Sequence, residues 1–254
     1  MNLLSNTIGV TVGGVLAAVA GVRRGKAVHP QGVVHEGRLV VPGASAAPRG
    51  ARLLEEPAEH LAIVRFSRSV GAPRPIPDLL GISIRLPNVY GSGRHQDFLL
   101  VTSADLPIVH HGFLPATDVQ QRPYTWSLPY RSAGGDRFLI GAVPDPNSPR
   151  PAGDDEFERL ARGARTGRLR FGFAVAPMMG RFTPLAELWI GERMSPELDA
   201  LRFNPFNCGG GIWPAGALNG ARDRAYRMSQ AAWRRTREDG AELQEAASIR
   251  AARG

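Results

Sequence analysis

The chain has 254 residues, of which 43% are hydrophobic and 21% are charged. This composition is typical of a folded globular chain and excludes an intrinsically disordered one. Glycine (30 residues) and proline (21 residues) are abundant, which favours many turns and short strands over long helices. The formal net charge is +8, but Lys26 is the one lysine among 31 basic residues and the arginines are scattered along the chain. We therefore expect no nucleic-acid partner.

The first 25 residues are predicted to form an apolar docking helix. Residues 1–22 carry no charged side chain, and apolar residues recur at steps of three and four (Leu4, Ile8, Val12, Val15, Val19 and Val22). Such a stripe would pack on the chain's own domain or on a partner subunit, so we expect a homodimer and weak membrane association through this helix. A secretory signal remains an alternative, because Ala18-Val19-Ala20 fits a cleavage pattern.

The middle of the chain is predicted to be mostly β. Short apolar runs between turn residues indicate strands near 33–34 and 39–41, with a turn at Gly37, and near 59–66, 80–86, 97–102, 124–128, 137–143, 168–175 and 187–190. Acidic residues at 154–156 are predicted to open a short helix that ends near Ala164. The adjacent His110 and His111 would point to opposite faces of a strand, which makes them a poor metal pair.

Residues 217–252 read as a helical tract interrupted near Gly240. We predict a single main domain over residues 26–235 and a C-terminal helical tail over residues 236–254. Cys208 is the one cysteine, so the sequence offers no disulfide framework.

Three separated segments carry the functional signal. The first is Lys26-Ala27-Val28-His29-Pro30-Gln31-Gly32. The second is Val64-Arg65-Phe66-Ser67, followed by Asp78-Leu79-Leu80-Gly81-Ile82-Ser83-Ile84-Arg85. The third runs from Phe203-Asn204-Pro205-Phe206-Asn207 through Gly211-Ile212-Trp213-Pro214 to Arg222-Asp223-Arg224-Ala225-Tyr226.

In this order the segments resemble the heme-containing catalase superfamily. They are similar to its distal-histidine stretch, to its VRFS strand with the D-x-x-G-x-x-V-K segment, and to the run that ends in its proximal tyrosine. The resemblance covers roughly residues 20 to 235, in a chain about half the length of ordinary catalases. It implies a short catalase-related heme protein, a minicatalase or catalase-like peroxidase, in the superfamily that also holds allene-oxide-forming enzymes. The fold it implies is α+β: an antiparallel catalase-like β-barrel with flanking helices.

The resemblance implies heme b, with Tyr226 as the axial ligand of the iron through its phenolate. A free phenol has a pKa of about 10, so its anion needs a neighbouring cation. Arg222 lies four residues before Tyr226, on the same face of a helix, where a guanidinium favours the charged oxygen. Arg65 would grip a heme propionate, and Lys26 either does the same or is a solvated lysine.

The resemblance also implies a distal side for the heme. His29 would take a proton from a peroxide and return it to the leaving oxygen. Ser67 would orient the imidazole by a hydrogen bond. Val28 would narrow the access to the iron.

One stretch departs from the family pattern. Where catalases carry a distal asparagine, this chain has Val101-Thr102-Ser103-Ala104-Asp105-Leu106-Pro107, in which Thr102 or Ser103 could offer a hydroxyl but no amide donor is present. Without this amide we expect only weak catalase activity. We expect a heme peroxidase that reduces hydrogen peroxide or organic hydroperoxides, and we expect it to be cytoplasmic. The alternatives are a heme-dependent hydroperoxide isomerase or peroxygenase-type oxygenase, and a non-catalytic heme-binding protein.

Overall fold

The computed structural model describes residues 31–43 and 46–215. Its strands are β1 (Gln31–Val41), β2 (Ala58–Arg68), β3 (Leu80–Leu86), β4 (Gln96–Thr102), β5 (Tyr124–Thr125), β6 (Tyr130–Ser132), β7 (Arg137–Pro144), β8 (Arg170–Pro177), β9 (Thr183–Arg193) and β10 (Ile212–Pro214). Its α-helices are α1 (Arg52–Glu55) and α2 (Glu156–Ala164), and 3-10 turns cover Val109–His111 and Pro196–Ala200. In this part of the chain, no helix has the length and apolar character needed to cross a membrane.

Eight of these strands close into an antiparallel barrel. The order is β1-β2-β3-β4-β5-β7-β8-β9, and β9 returns to pair with β1. The short strands β6 and β10 extend the sheet beyond the barrel at the edge of β7. Closure removes the free edges that an open sheet would present to other chains.

The barrel interior is filled by side chains from alternate positions of the strands. Phe66 meets Phe171 with ring centroids 5.8 Å apart, and Phe98 meets Phe173 at 5.0 Å. These four rings are fully buried. Because side chains alternate along a strand, the residues between these core positions face the outside of the barrel.

One end of the barrel is closed by a buried ionic network. Arg68, the last residue of β2, lies 3.0 Å from Glu156 at the start of α2 and 3.4 Å from Asp78. Burial alone would raise the pKa of Glu156, but hydrogen bonds from Arg74 and Arg68 outweigh it and hold that pKa below its ordinary value. The network fixes the N-terminus of α2 over the barrel end.

Several predicted elements are confirmed. The helix begins where the acidic residues predicted it, with the Asp155 carboxylate accepting from the backbone N–H groups of Phe157 and Glu158. The predicted turn at Gly37 is wrong, because β1 runs through this residue without a break. A Cβ at Gly37 would lie 2.7 Å from the Val64 side chain, so glycine serves close packing here.

The fold class needs a second correction. The part of the chain described here is mostly β, with one α-helix of four residues and one of nine. The expected α+β character is thus only loosely met. The two terminal helical segments predicted over 1–25 and 236–254 lie outside the described residues.

His35 is a titratable side chain buried inside the barrel, so the stability of the fold should depend on its protonation. It is fully buried, with Nδ1 3.0 Å from the Gly191 carbonyl oxygen, and its Nε2 has no hydrogen-bond partner within residues 31–43 and 46–215. Burial lowers its pKa below the ordinary value of 6.5, although the bond to Gly191 opposes this shift. The neutral ring is therefore the form that the fold accepts. Its contribution to stability is complete above pH 6.5 and is lost as the pH falls from 6.5 toward the lowered folded-state pKa.

We predict that His35→Asn, which keeps a donor for Gly191, flattens the fall in unfolding free energy between pH 7 and pH 5. Urea denaturation at several pH values measures this. His60→Asn is the control, since His60 is only half-buried and should contribute less. An identical pH slope in wild type and His35→Asn would contradict the interpretation.

Candidate functional site

The outer face of strands β1 to β4 carries the two described residues of the predicted site. Phe66 is buried in the barrel, so its neighbours Arg65 and Ser67 project to the outside. Their register partners on this face are small or apolar. Ser67 lies opposite Gly32 and Gly81, Arg65 lies opposite Ser83, and Gly81 lies opposite Val101. We call Gly32, Ser67, Gly81, Ser83 and Val101 the outer floor.

Arg65 is fixed at the edge of the outer floor. Its Nε donates to the Asp199 carbonyl oxygen at 2.9 Å. Its guanidinium lies over Gly32, where a Cβ would come within 2.7 Å of Nη2, so only glycine leaves room for it. Burial lowers the pKa of Arg65, and the charge of Asp199 partly offsets this shift. A guanidinium held in this way is suited to bind a carboxylate.

Asp199 is itself fixed by the elements around it. Its carboxylate accepts from the backbone N–H of Val34 at 2.9 Å and from Arg193 at 2.8 Å. The 3-10 turn Pro196–Ala200 is thus tied to β1 and β9, and its Asp199 carbonyl oxygen holds the Arg65 guanidinium.

A buried ion pair on the same outer face binds the start of the third motif. Arg85 and Asp97 make two hydrogen bonds of 2.7 Å. The Asp97 carboxylate also accepts from the Asn204 backbone N–H at 2.7 Å and from the Asn207 amide at 3.1 Å. The Arg85 guanidinium lies 5.1 Å from the centre of the Phe203 ring. The pair therefore fixes residues 203–207 against β3 and β4.

Apolar contacts also hold the segment around Phe203 against the outer face of the barrel. Phe203 packs with Val34 and Ile63 in a small buried cluster on the outside of the barrel, flanked by Leu99, Met194, Leu198 and Leu201. Residues 194–207 thus cover one half of the outer face of β1 to β4. The other half is the outer floor, with Arg65 at the boundary.

The hydroxyls that Thr102 or Ser103 could offer do not belong to the outer floor. The Thr102 side chain faces the interior, where Oγ1 accepts from the Leu80 N–H at 3.1 Å, and the Ser103 hydroxyl donates to the Gly112 carbonyl at 2.7 Å. The Asp105 carboxylate accepts from the Phe182 N–H at 2.8 Å. β4 therefore presents the apolar Val101 to the outer floor.

His110 and His111 lie on a 3-10 turn and not on a strand, so the argument from strand faces does not apply to them. Both rings point an Nε2 at the Met178 carbonyl oxygen, at 3.2 and 3.0 Å, and they fasten this loop to its neighbour. Within the described residues, no group of three or more His, Cys, Asp and Glu side chains could hold a metal ion.

The remaining predicted site residues (Lys26, Val28, His29, Arg222 and Tyr226) lie outside the described residues, and their roles stay predictions. Sequence reasoning missed Asp97 and Asp199. Asp97 lies directly opposite Arg85 in the β3–β4 hairpin, but the connection between Leu86 and Gln96 is too long for the sequence to fix that register. Asp199 had no readable signal, since it acts mainly through a backbone carbonyl oxygen from a distant turn.

Comparisons with known proteins support the fold. No protein-family model and no curated protein matches the chain. Among 116 matching chains of solved structures is one described as the structure of a bacterial catalase, with a TM-score of 0.61 and 12% sequence identity. The fold is catalase-like. The match covers 91% of this chain and 60% of that catalase, and at this identity the likeness shows the fold alone.

We predict that the stability of the barrel, and the attachment of residues 203–207 to it, depend on the buried Arg85–Asp97 pair. Asp97→Ala leaves Arg85 buried without its carboxylate and removes the acceptor for Asn204 and Asn207. We expect it to lower the free energy of unfolding by about 3–5 kcal/mol, measured by urea denaturation.

Glu59→Ala is the matched control for this prediction. It breaks the exposed pair between Arg38 and Glu59 and should cost at most about 1 kcal/mol. Equal urea midpoints for the two variants would show that the Arg85–Asp97 pair does not anchor residues 203–207.

Proposed function

We propose that this protein binds heme b on the outer floor and acts on peroxides as a catalase-related peroxidase. The observation that carries the proposal is the convergence of separate motifs on one face of a catalase-like barrel. Arg65 and Ser67 of the second motif lie on this face, and the Arg85–Asp97 pair binds the start of the third motif at its border. The first motif ends at Gly32, the register partner of Ser67.

The described residues fit a flat group that carries carboxylates. The outer floor consists of two glycines, two serines and a valine, so no large side chain projects from it. Arg65 stands at the edge of the outer floor, held by Asp199 and seated over Gly32. A planar macrocycle could lie on small residues and extend a propionate to this guanidinium. When bound, heme supplies the iron centre at which a peroxide O–O bond is cleaved.

The protein's own side chains would transfer the proton and hold the heme in place. His29 would accept a proton from a bound peroxide and return it to the leaving oxygen. Ser67 would hold the imidazole in position, and Arg65 would hold a propionate. Tyr226, with its phenolate favoured by the Arg222 charge, would be the protein ligand of the iron.

The apolar Val101 bears on the choice of substrate. It offers no hydrogen-bond donor to a bound hydrogen peroxide, whereas an alkyl hydroperoxide brings an apolar group that valine accepts. We therefore propose organic hydroperoxides as the better substrates. Their reduction to an alcohol and water consumes two protons and two electrons, so a reducing co-substrate is part of the reaction.

Two variants test this proposal in one experiment. The full chain mixed with hemin should give a Soret band, and Tyr226→Phe should weaken or shift that band because the axial phenolate is lost. His29→Ala should keep the Soret band but lose turnover of an organic hydroperoxide, measured with a reducing dye.

The outcomes separate the candidate functions. A wild-type protein without a Soret band would overturn heme binding altogether. An unchanged spectrum for Tyr226→Phe would place the axial ligand elsewhere, and undiminished turnover by His29→Ala would remove its acid–base role. A heme-loaded protein that is inert to all peroxides would instead be a heme-binding protein.

A further inference from the structure

A second surface, on the outside of β7, β6 and β10 and on the loops beside them, combines exposed aliphatic side chains with unpaired arginines. Leu106 and Ile108 lie on the loop after β4, and Met179 lies on the turn after β8, with exposed fractions of 45%, 64% and 63%. The two segments touch, because His110 and His111 both contact the Met178 carbonyl. Isolated exposed aliphatic residues are common, but neighbouring ones on adjoining loops mark an interaction surface.

The aliphatic group continues into a row across β7, β6 and β10. Arg137 lies directly opposite Arg131, and Arg131 lies directly opposite Trp213. Since Phe138, Tyr130 and Ile212 fill the core, these three residues all face outwards. Phe138 pairs with Pro177, so the row ends next to Met178 and Met179. We call Leu106, Ile108, Met179, Arg137, Arg131 and Trp213 the docking strip.

The two arginines of the docking strip lack anionic partners. Both are exposed, and neither makes an ion pair or a side-chain hydrogen bond with any residue that the structure describes. Like charges directly opposite each other on paired strands repel. The acidic residues closest along the chain, Asp136 and Asp105, are already paired with Arg49 and Arg181. The strip therefore presents net positive charge beside its aliphatic group.

Ile108 is held outward by a strained backbone. It has a φ of 70° and is the central residue of a γ-turn closed by the Val109 N–H on the Pro107 carbonyl at 2.8 Å. A β-branched residue rarely adopts positive φ, and asparagine or glycine would fit more easily. This strained conformation places a large aliphatic side chain in solvent. Neither the strain nor the exposure stabilises the isolated domain.

From these observations we propose that the docking strip binds the surface of an anionic phospholipid membrane. The guanidinium groups of Arg131 and Arg137 would bind lipid phosphates, and Trp213 would lie at the headgroup level. Leu106, Ile108 and Met179 would insert between the lipid chains. A single-stranded nucleic acid fits less well, because it needs stacking platforms and the strip has one aromatic ring among aliphatic residues.

Vesicle co-sedimentation of the full chain tests this proposal. The wild type should bind vesicles of phosphatidylcholine with phosphatidylserine more tightly than vesicles of phosphatidylcholine alone. The double variant Arg131→Gln/Arg137→Gln should bind the anionic vesicles about 30-fold more weakly, the factor expected for two basic residues at an anionic surface. Arg165→Gln/Arg168→Gln is its control, since it removes the same charge from the α2–β8 connection at the other end of the barrel.

The aliphatic part has its own matched pair of variants. Ile108→Asn should keep the wild-type melting temperature, because asparagine tolerates positive φ, but should weaken vesicle binding. Leu61→Asn changes a residue with a similar exposed fraction (49%) on β2, across the barrel, and should bind as the wild type does.

Four results would overturn the proposal. These are no vesicle binding by the wild type, unchanged binding by the strip variants, preference for a single-stranded oligonucleotide over anionic vesicles, and a wild-type dimer that Ile108→Asn dissociates. None of these readouts depends on heme, so this proposal and the proposed function can fail independently.

Discussion

The register of strands β1 to β4 is the constraint on which the rest of the structure depends. Side chains alternate along a strand, so a slip of one residue would expose Phe66 and bury Arg65 in the barrel. Both faces of these strands are specified. Phe66 packs against Phe171 inside, while the Arg85–Asp97 pair outside accepts the backbone of Asn204. Core packing and the candidate site thus support the same register, and neither can move without the other.

The sequence correctly predicted features that depend on residues close together in the chain. The alternation in Leu80–Leu86 and the capping Asp155 were readable, because the physics that decides them acts within a few residues. Gly37 misled because a glycine that serves close packing looks like a turn glycine in sequence. Barrel closure through β7–β8 and β1–β9, and the bond from Arg65 to Asp199, join residues far apart in sequence, and no local pattern encodes them.

The site residues were predicted from the order of the three motifs along the chain. This order selected Arg65 and Ser67, which the fold places on one face of the sheet, where Ser67 has Gly32 and Gly81 as its register partners. The hydroxyls that Thr102 or Ser103 could offer are not on the outer floor, because strand alternation turns Thr102 inward and the Ser103 hydroxyl donates to the Gly112 carbonyl oxygen. Strand β4 contributes Val101 to the outer floor instead. The outer floor and the docking strip lie on different parts of the barrel wall. The two proposals together describe an enzyme for organic hydroperoxides that works at a membrane surface.

The central claim is that a flat, carboxylate-bearing heme lies on the outer floor beside Arg65. Ser83 offers the most direct test, since it lies opposite Arg65 and points away from the barrel core. Hemin titration, followed at the Soret band, should show Ser83→Ala binding as the wild type does. Ser83→Trp, which fills the floor, should bind at least about tenfold more weakly without a lower melting temperature, a loss of about 1.4 kcal/mol. Equal hemin affinity for both variants would contradict the account.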